Sequence, residues 1–284
     1  MDNGDVLHVI LRDFTGDGIT ITLNNGSTDT IEDASIIESE DAIYNLIDKD
    51  GNLYTVVTIG NQQWTVQNLR TETYADGTVI PEIQNAVAWA ADETGAHCYY
   101  DNDSATYKAT YGTLYNWYAM VSSHGLVYFE RGGIPATGWR VPTYTDLNIL
   151  LEYILSSQGE LNWLTAGGHL KETGDTHWTS DDGFTYDTFG FTALGGGFRA
   201  STGVFTNFND EARIGSITGY KEALGSVWGY CGRMYAADPR FQLMLSQRAV
   251  GYSIRCVRDI VADILRDIDG NEYTTVIIGS QEWR

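Results

Sequence analysis

Basic residues are scarce in this chain: 17 Lys and Arg stand against 38 Asp and Glu, for a formal net charge of −21. Such a surface repels a phosphate backbone or an anionic membrane, so nucleic acid is not an expected partner. Long hydrophobic runs are missing too. No stretch approaches the roughly 20 apolar residues a membrane helix needs, and membrane insertion is not expected. Cysteine is rare: Cys98, Cys231 and Cys256 lie far apart with no CxxC pair. That excludes a zinc knuckle or a dense disulfide framework and leaves room for one bridge at most. The opening MDNGDVLHVILRD is acidic where a secretory signal is basic, and His8 and Arg12 break its apolar stretch, so nothing here directs export.

Catalytic motifs are also lacking. The five histidines (His8, His97, His124, His169, His177) form no HExxH, and only His169 and His177 make a loose pair; each is expected to be a satisfied loop or core residue. His97 and Cys98 are adjacent, and neighbours on a strand face opposite ways, which argues against a nucleophile and base dyad. There is no GxSxG elbow. The Gly195 to Gly197 run before Phe198 lacks the helix-opening Lys-Ser/Thr of a phosphate loop, so close backbone packing is the expected reason for it.

What the chain does contain is glycine (31 residues) and aromatics (12%), the composition of a turn-rich globular protein with a large core. It also repeats itself. Residues Asp48 to Trp64, DKDGNLYTVVTIGNQQW, return as Asp267 to Trp283, DIDGNEYTTVIIGSQEW, with 11 of 17 positions identical at a constant offset of 219. That offset is too long for a solenoid period and measures a whole domain. The organisation expected is a short β head and linker at 1–45, one domain at 46–260, and a partial repeat of its opening hairpins at 261–284. In the head, strands at 6–10 and 19–23 flank the Gly16-Asp17-Gly18 turn, and 24–42 reads as a polar linker.

Within the domain, Asp50-Gly51 and Gly60-Asn61 mark hairpin turns between short alternating strands. The Asp48, Asp50, Asn52 spacing resembles a calcium loop, but the distal Glu is missing and a turn is the better reading. Two helices are expected. One spans Leu114 to Ser122. The other starts at Thr143, where Asp146 completes a capping box and Leu147, Leu150, Leu151, Ile154 and Leu155 share a face, with Trp139 expected nearby. From Gly159 to Asp259, short strands joined by long loops are expected.

Eight motifs in order carry a resemblance: DxDGNxY with IGxQxW (48–64), NLRTETYADGTVI (68–80), HCYYDND (97–103), YGTLYNWYA (111–119), GWRVPT (138–143), LKETG (170–174), FTALGGGFR (191–199) and GYSIRCVRD (251–259). Together they resemble the Fibrobacter succinogenes major paralogous domain. The resemblance implies an α+β, C-type-lectin-like fold with two helices, small antiparallel sheets and long loops, similar to the formylglycine-generating group, with the domain's first and last strands pairing. After LGGGFR the family pattern continues to a tryptophan and small hydroxyl residues. Here Trp228 is followed by GYCGRMYAADPRFQLML. The departure supplies large amphipathic side chains of the kind that dominate binding hot spots, so Tyr230, Arg233, Met234, Tyr235, Arg240, Phe241 and Gln242 are the expected ligand-binding residues, with burial in the core as the alternative for the aromatics. C-type-lectin-like domains diversified by retroelements vary this same segment.

The functional expectation is a non-enzymatic, surface-displayed module that binds a host-surface glycan or protein. A bacteriophage virion fibre or adhesion component on the virion surface is expected, since lysis releases such a protein without an export signal. The alternatives are a bacterial cell-surface or secreted protein of the same family and a structural decoration protein. Enzymatic use of Cys231 and Cys256 rests on fold analogy alone. Residues 1–45 are expected to attach to other virion or surface proteins, and a homo-oligomer is expected. No cofactor is expected, with structural calcium as the alternative.

Overall fold

In the computed structural model of the protein, the Ile19, Ile21 alternation forms β1 (Ile19–Thr22), whose antiparallel partner is β2 (Thr28–Ile31). The expected partner, residues 6–10, lies outside the described residues. The segment read as linker supplies the pairing strand instead, because its TDTI run alternates β-forming residues. The structure describes residues 46–158, 164–179, 183–222 and 227–260, together with the backbone of strands 19–22, 28–31, 264–266, 272–274, 276–278 and 281–283.

The domain opens with β3 (Leu46–Ile47) and β4 (Leu53–Tyr54), then β5 (Val56–Ile59) and β6 (Gln62–Thr65). Gly51 turns the first hairpin with φ 81° and Gly60 the second with φ 59°, values that glycine reaches without a Cβ penalty. The carboxylate of Asp48, itself buried, accepts from the Asp50 and Asn52 amides and from the Tyr54 hydroxyl at 2.6 Å. Asp50 accepts from the Thr71 and Thr73 hydroxyls and from the Glu72 and Thr73 amides. Both carboxylates are thus engaged by protein donors, as the hairpin reading expects of this motif.

Among the described residues four α-helices follow where two were expected. Asn85 caps α1 (Ala86–Ala91), and Asp103 caps α2 (Ser104–Tyr111). Neither was legible in the sequence, because each is short and buries one large residue, Trp89 or Tyr111, which leaves no periodic stripe. Between them lies β7 (His97–Cys98), paired with β8 (Leu114–Tyr115). The helix expected from Leu114 therefore opens as a two-residue strand. Asn116 accepts the Ala119 amide and begins the one-turn helix α3 (Trp117–Met120). A small ladder of β9 (Glu130–Arg131) and β10 (Ile134–Pro135) joins β3 through Glu130.

Helix α4 (Tyr144–Ser157) matches its sequence signal, with Thr143 and Asp146 forming the reciprocal capping box. Leu147, Leu150 and Ile154 are fully buried, each worth roughly 1.5–3 kcal/mol of transfer free energy. Leu151 and Leu155 sit at the margin of that cluster, which contains Trp64, Trp178, Phe191, Met234 and Phe241. Trp139 lies instead in a second cluster, edge-on to Phe129.

The segment expected to hold only short strands builds the largest sheet, in the order β12 (Phe205–Phe208), β11 (Gly196–Arg199), β13 (Glu211–Lys221), β14 (Val227–Tyr235), β15 (Asp238–Gln247). Its last three strands run 11, 9 and 10 residues. Glycines at 215, 219, 229 and 232 blur the alternation there and hide strands of that length from a sequence reading. The glycine triplet packs as expected: a Cβ on Gly195 would meet the His177 carbonyl at 2.7 Å, and one on Gly197 the Thr206 carbonyl at 2.7 Å. The closing strand β16 (Val257–Asp259) pairs antiparallel with β6, and its Val257 exchanges two backbone hydrogen bonds with Arg140. The first and last parts of the domain are therefore stitched together. The fold is α+β, with few helices, several small, mostly antiparallel sheets and long loops.

The terminal repeat reproduces the pairing of its first copy. β17 (Ile264–Arg266) pairs with β18 (Glu272–Thr274) through Leu265 and Tyr273, as Leu46 pairs with Tyr54. β19 (Val276–Ile278) pairs with β20 (Gln281–Trp283) through Val276 and Trp283, as Val57 pairs with Trp64. Register is set by the apolar pattern and the turn length, and both are conserved between the copies.

Candidate ligand-binding face

Pairing across an antiparallel ladder places opposed residues on the same face, and it divides the β14–β15 hairpin into two sides. Gly232 lies opposite Ile214 on β13 and Leu243 on β15. This side carries Met234 and Phe241 into the cluster beneath α4, where each is almost entirely buried. A Cβ on Gly232 would stand 2.5 Å from the Phe241 ring, so the glycine makes room for it. These two expected binding residues are core residues, which for Phe241 is the alternative given for the aromatics. Tyr230, opposite Leu245, is half-buried with its ring 4.6 Å from that of Tyr144 at the start of α4.

On the other side Arg213, Arg233 and Gln242 form one row across β13, β14 and β15. Arg233 donates to the Gln242 side-chain oxygen and lies 4.7 Å from the centre of the Tyr235 ring. Its Nε is buried without a hydrogen-bond partner. Arg213 donates from Nε to Glu211 at 2.7 Å, and its guanidinium lies 3.4 Å from the centre of the Phe198 ring. Glu211 is fully buried and also accepts from the Asn207 amide. Arg240 sits near the turn, where its Nε donates to both oxygens of Asp238 at 2.7 Å; that donation, against partial burial, holds the Asp238 carboxyl below its usual range.

Of the seven expected residues the structure thus brings together Arg233, Tyr235 and Gln242, sets Arg240 at the turn and Tyr230 against α4, and buries Met234 and Phe241. Sequence reasoning missed Arg213 and Glu211. A signal existed in the alternation of EARIGS, which puts Glu211 and Arg213 on the face opposite Ala212 and Ile214.

The charged residues of the family-like motifs do other work. Arg255 of GYSIRCVRD is buried and donates to Asn68 Oδ1 and to the carbonyls of Thr65, Phe191 and Thr192. Burial lowers its pKa to about 9, with Asp187 opposing the shift, and leaves it charged at neutral pH. Arg199 of LGGGFR is buried between the Trp89 and Phe205 rings and donates to the carbonyls of Ile83, Gln84 and Gly203. Lys171 of LKETG, equally buried, donates to the carbonyls of Tyr235 and Ala236. Each cation gathers backbone carbonyls from loops and strand ends.

All three cysteines are free and buried. Burial pushes the Cys98 and Cys231 thiols up to about 12 and raises Cys256 as well, the reverse of what a nucleophile needs. His169 bonds the Thr188 hydroxyl and His177 the Glu172 carboxylate. Among the described residues no group of three or more His, Cys, Asp or Glu could hold a metal ion, and no helix is long and apolar enough to cross a membrane.

No curated protein and no solved structure matches the chain. The family model of the Fibrobacter succinogenes major domain matches residues 57–258, well over half of the sequence, and spans the candidate face and all three carbonyl-binding cations. The chain belongs to the Fibrobacter succinogenes major domain family.

Proposed function

We propose that the protein is a non-enzymatic ligand- or receptor-binding module displayed on a virion or cell surface, built on a C-type-lectin-like domain. The observation that carries the reading is the row on the β13–β15 sheet. Arg233, Tyr235 and Gln242 are half-exposed and stand on two long strands, β14 and β15, whose other face is pinned by Met234, Phe241 and α4. Rigid aromatic and arginine side chains on a preorganised sheet lose little entropy on binding. The C-type-lectin-like reading draws on the pairing of β6 with β16 and on the loops held by buried cations. The raised thiols speak against cysteine chemistry. A bacteriophage fibre and a bacterial surface protein both suit an acidic, binding-competent chain.

Labelled full-length protein should adhere to bacterial cells, and the double change Tyr235→Ala with Gln242→Ala should weaken adhesion while the fold persists. Adhesion to no cell type, or unchanged adhesion of the double variant, would overturn the reading.

A further inference from the structure

The cross-strand pair Arg213 and Arg233 opposes two like charges on one sheet face, an arrangement that is destabilising by itself. The carboxylate of Glu211 is engaged by the Arg213 Nε and by the Asn207 side-chain amide. Arg233 has a side-chain amide oxygen as its hydrogen-bond acceptor, and its Nε is buried with none. The row thus carries two guanidinium groups beside that engaged carboxylate, Arg233 half-exposed and Arg213 mostly buried, in a protein whose net charge is −21.

The guanidinium planes are held in advance. Arg213 is fixed by Glu211 and the Phe198 ring, and its side chain is 11% exposed where that of Glu211 is wholly buried. Arg233 is fixed by Gln242 and the Tyr235 ring. A planar anion lying over the row would accept charge-assisted hydrogen bonds from both forks and relieve their repulsion.

Building on the binding-module reading, we propose that the Arg213, Arg233, Gln242 row recognises the carboxylate of an acidic saccharide, a uronic-acid type sugar. The backbone favours a saccharide over an acidic peptide. Arg213 and Arg233 stand on β13 and β14, which are paired on both sides, and of the row Gln242 alone lies on the edge strand β15, so a peptide added to that edge would not lie over the two guanidinium forks. What remains is side chains alone: two guanidinium forks, an amide and the phenol of Tyr235.

The experiment titrates the full chain with an oligomer of galacturonic acid, a neutral galactose oligomer of equal length, and a glutamate peptide of equal charge. Arg233→Gln is the variant, because Arg213→Gln would strand the buried Glu211 and risk the fold. The uronate oligomer should bind and weaken with added salt, the neutral oligomer and the peptide should bind far less, and Arg233→Gln should cost at least about tenfold, the scale of one charge-assisted pair. The urea midpoint of that variant should hold or rise. Equal binding of the neutral oligomer or the peptide, or an unchanged affinity in Arg233→Gln, would overturn the proposal. Competition on cells separates the two readings. Adhesion that uronate does not displace rejects the acidic sugar and keeps the binding module; absence of adhesion together with absence of uronate binding rejects both.

Discussion

Arg255 donates its Nε to the side-chain oxygen of Asn68 at 2.7 Å, across 187 residues of chain. The bond ties the last motif of the domain to the second, and the same guanidinium reaches three further backbone carbonyls. The motifs that identify the family are to this extent an internal scaffold, and the candidate ligand face is carried on it by less motif-like residues.

Replacing Arg255 should therefore be costly without touching any ligand. Arg255→Met leaves four buried acceptors without their donor, at about 1–3 kcal/mol for each unsatisfied group before relaxation, so a loss of at least about 3 kcal/mol is expected. Arg255→Lys should not restore it, since one ammonium cannot serve acceptors arranged around a planar fork. Urea unfolding of the two variants checks this; wild-type stability in either would refute the scaffold role.

Leu150, fully buried beneath the β13–β15 sheet, should lose about 2–5 kcal/mol on change to Ala. Leu151→Ala, at the half-buried margin of the same helix, should lose clearly less. Denaturation of the pair measures the difference, and equal losses would contradict the observed helix face.

Acid should weaken the fold in two steps. Burial lowers the pKa of His97, against the pull of Glu72 and Glu82 and with the help of Lys108. Its folded state thus prefers the neutral ring, and its contribution is complete above the unfolded value of about 6.5 and falls as pH drops below it. Asp50 behaves as a depressed carboxylate: burial raises it, but donation from Thr73, Glu72 and Thr71 outweighs burial. Its contribution is present above about pH 4 and is lost as pH falls through the folded value. Unfolding midpoints measured across pH should show both declines, and His97→Gln should remove the first alone.

Deleting residues 262–284 should leave the 46–259 domain folded, because the strands flanking β3 and β6 come from Glu130 and from β16 within the domain. In the full chain, amide exchange should be slowed in the ladders pairing Leu265 with Tyr273 and Val276 with Trp283. Free exchange there, with an unchanged melting temperature after deletion, would reduce the repeat to a remnant.

Local chemistry was legible in the chain itself. Asp50-Gly51 and Gly60-Asn61 marked turns, and Thr143 with Asp146 announced α4, since each feature depends on residues only a few positions apart. The helices α1 and α2 and the length of β13 to β15 were not legible, because helices with one buried residue and strands interrupted by glycine carry no clear period. The split of the expected site was not legible either. Whether Phe241 or Gln242 faces a ligand is decided by register against β14 and by the arrival of α4 on one side of the sheet, and adjacent residues of one strand must part company there. The sequence by itself determined the family, the turns, the α4 cap and the supply of amphipathic side chains. The tertiary structure alone decided that Met234 and Phe241 are core and that Arg233 and Gln242 are surface. It alone brought Arg213 beside Arg233, because that contact exists only when strands distant in sequence align.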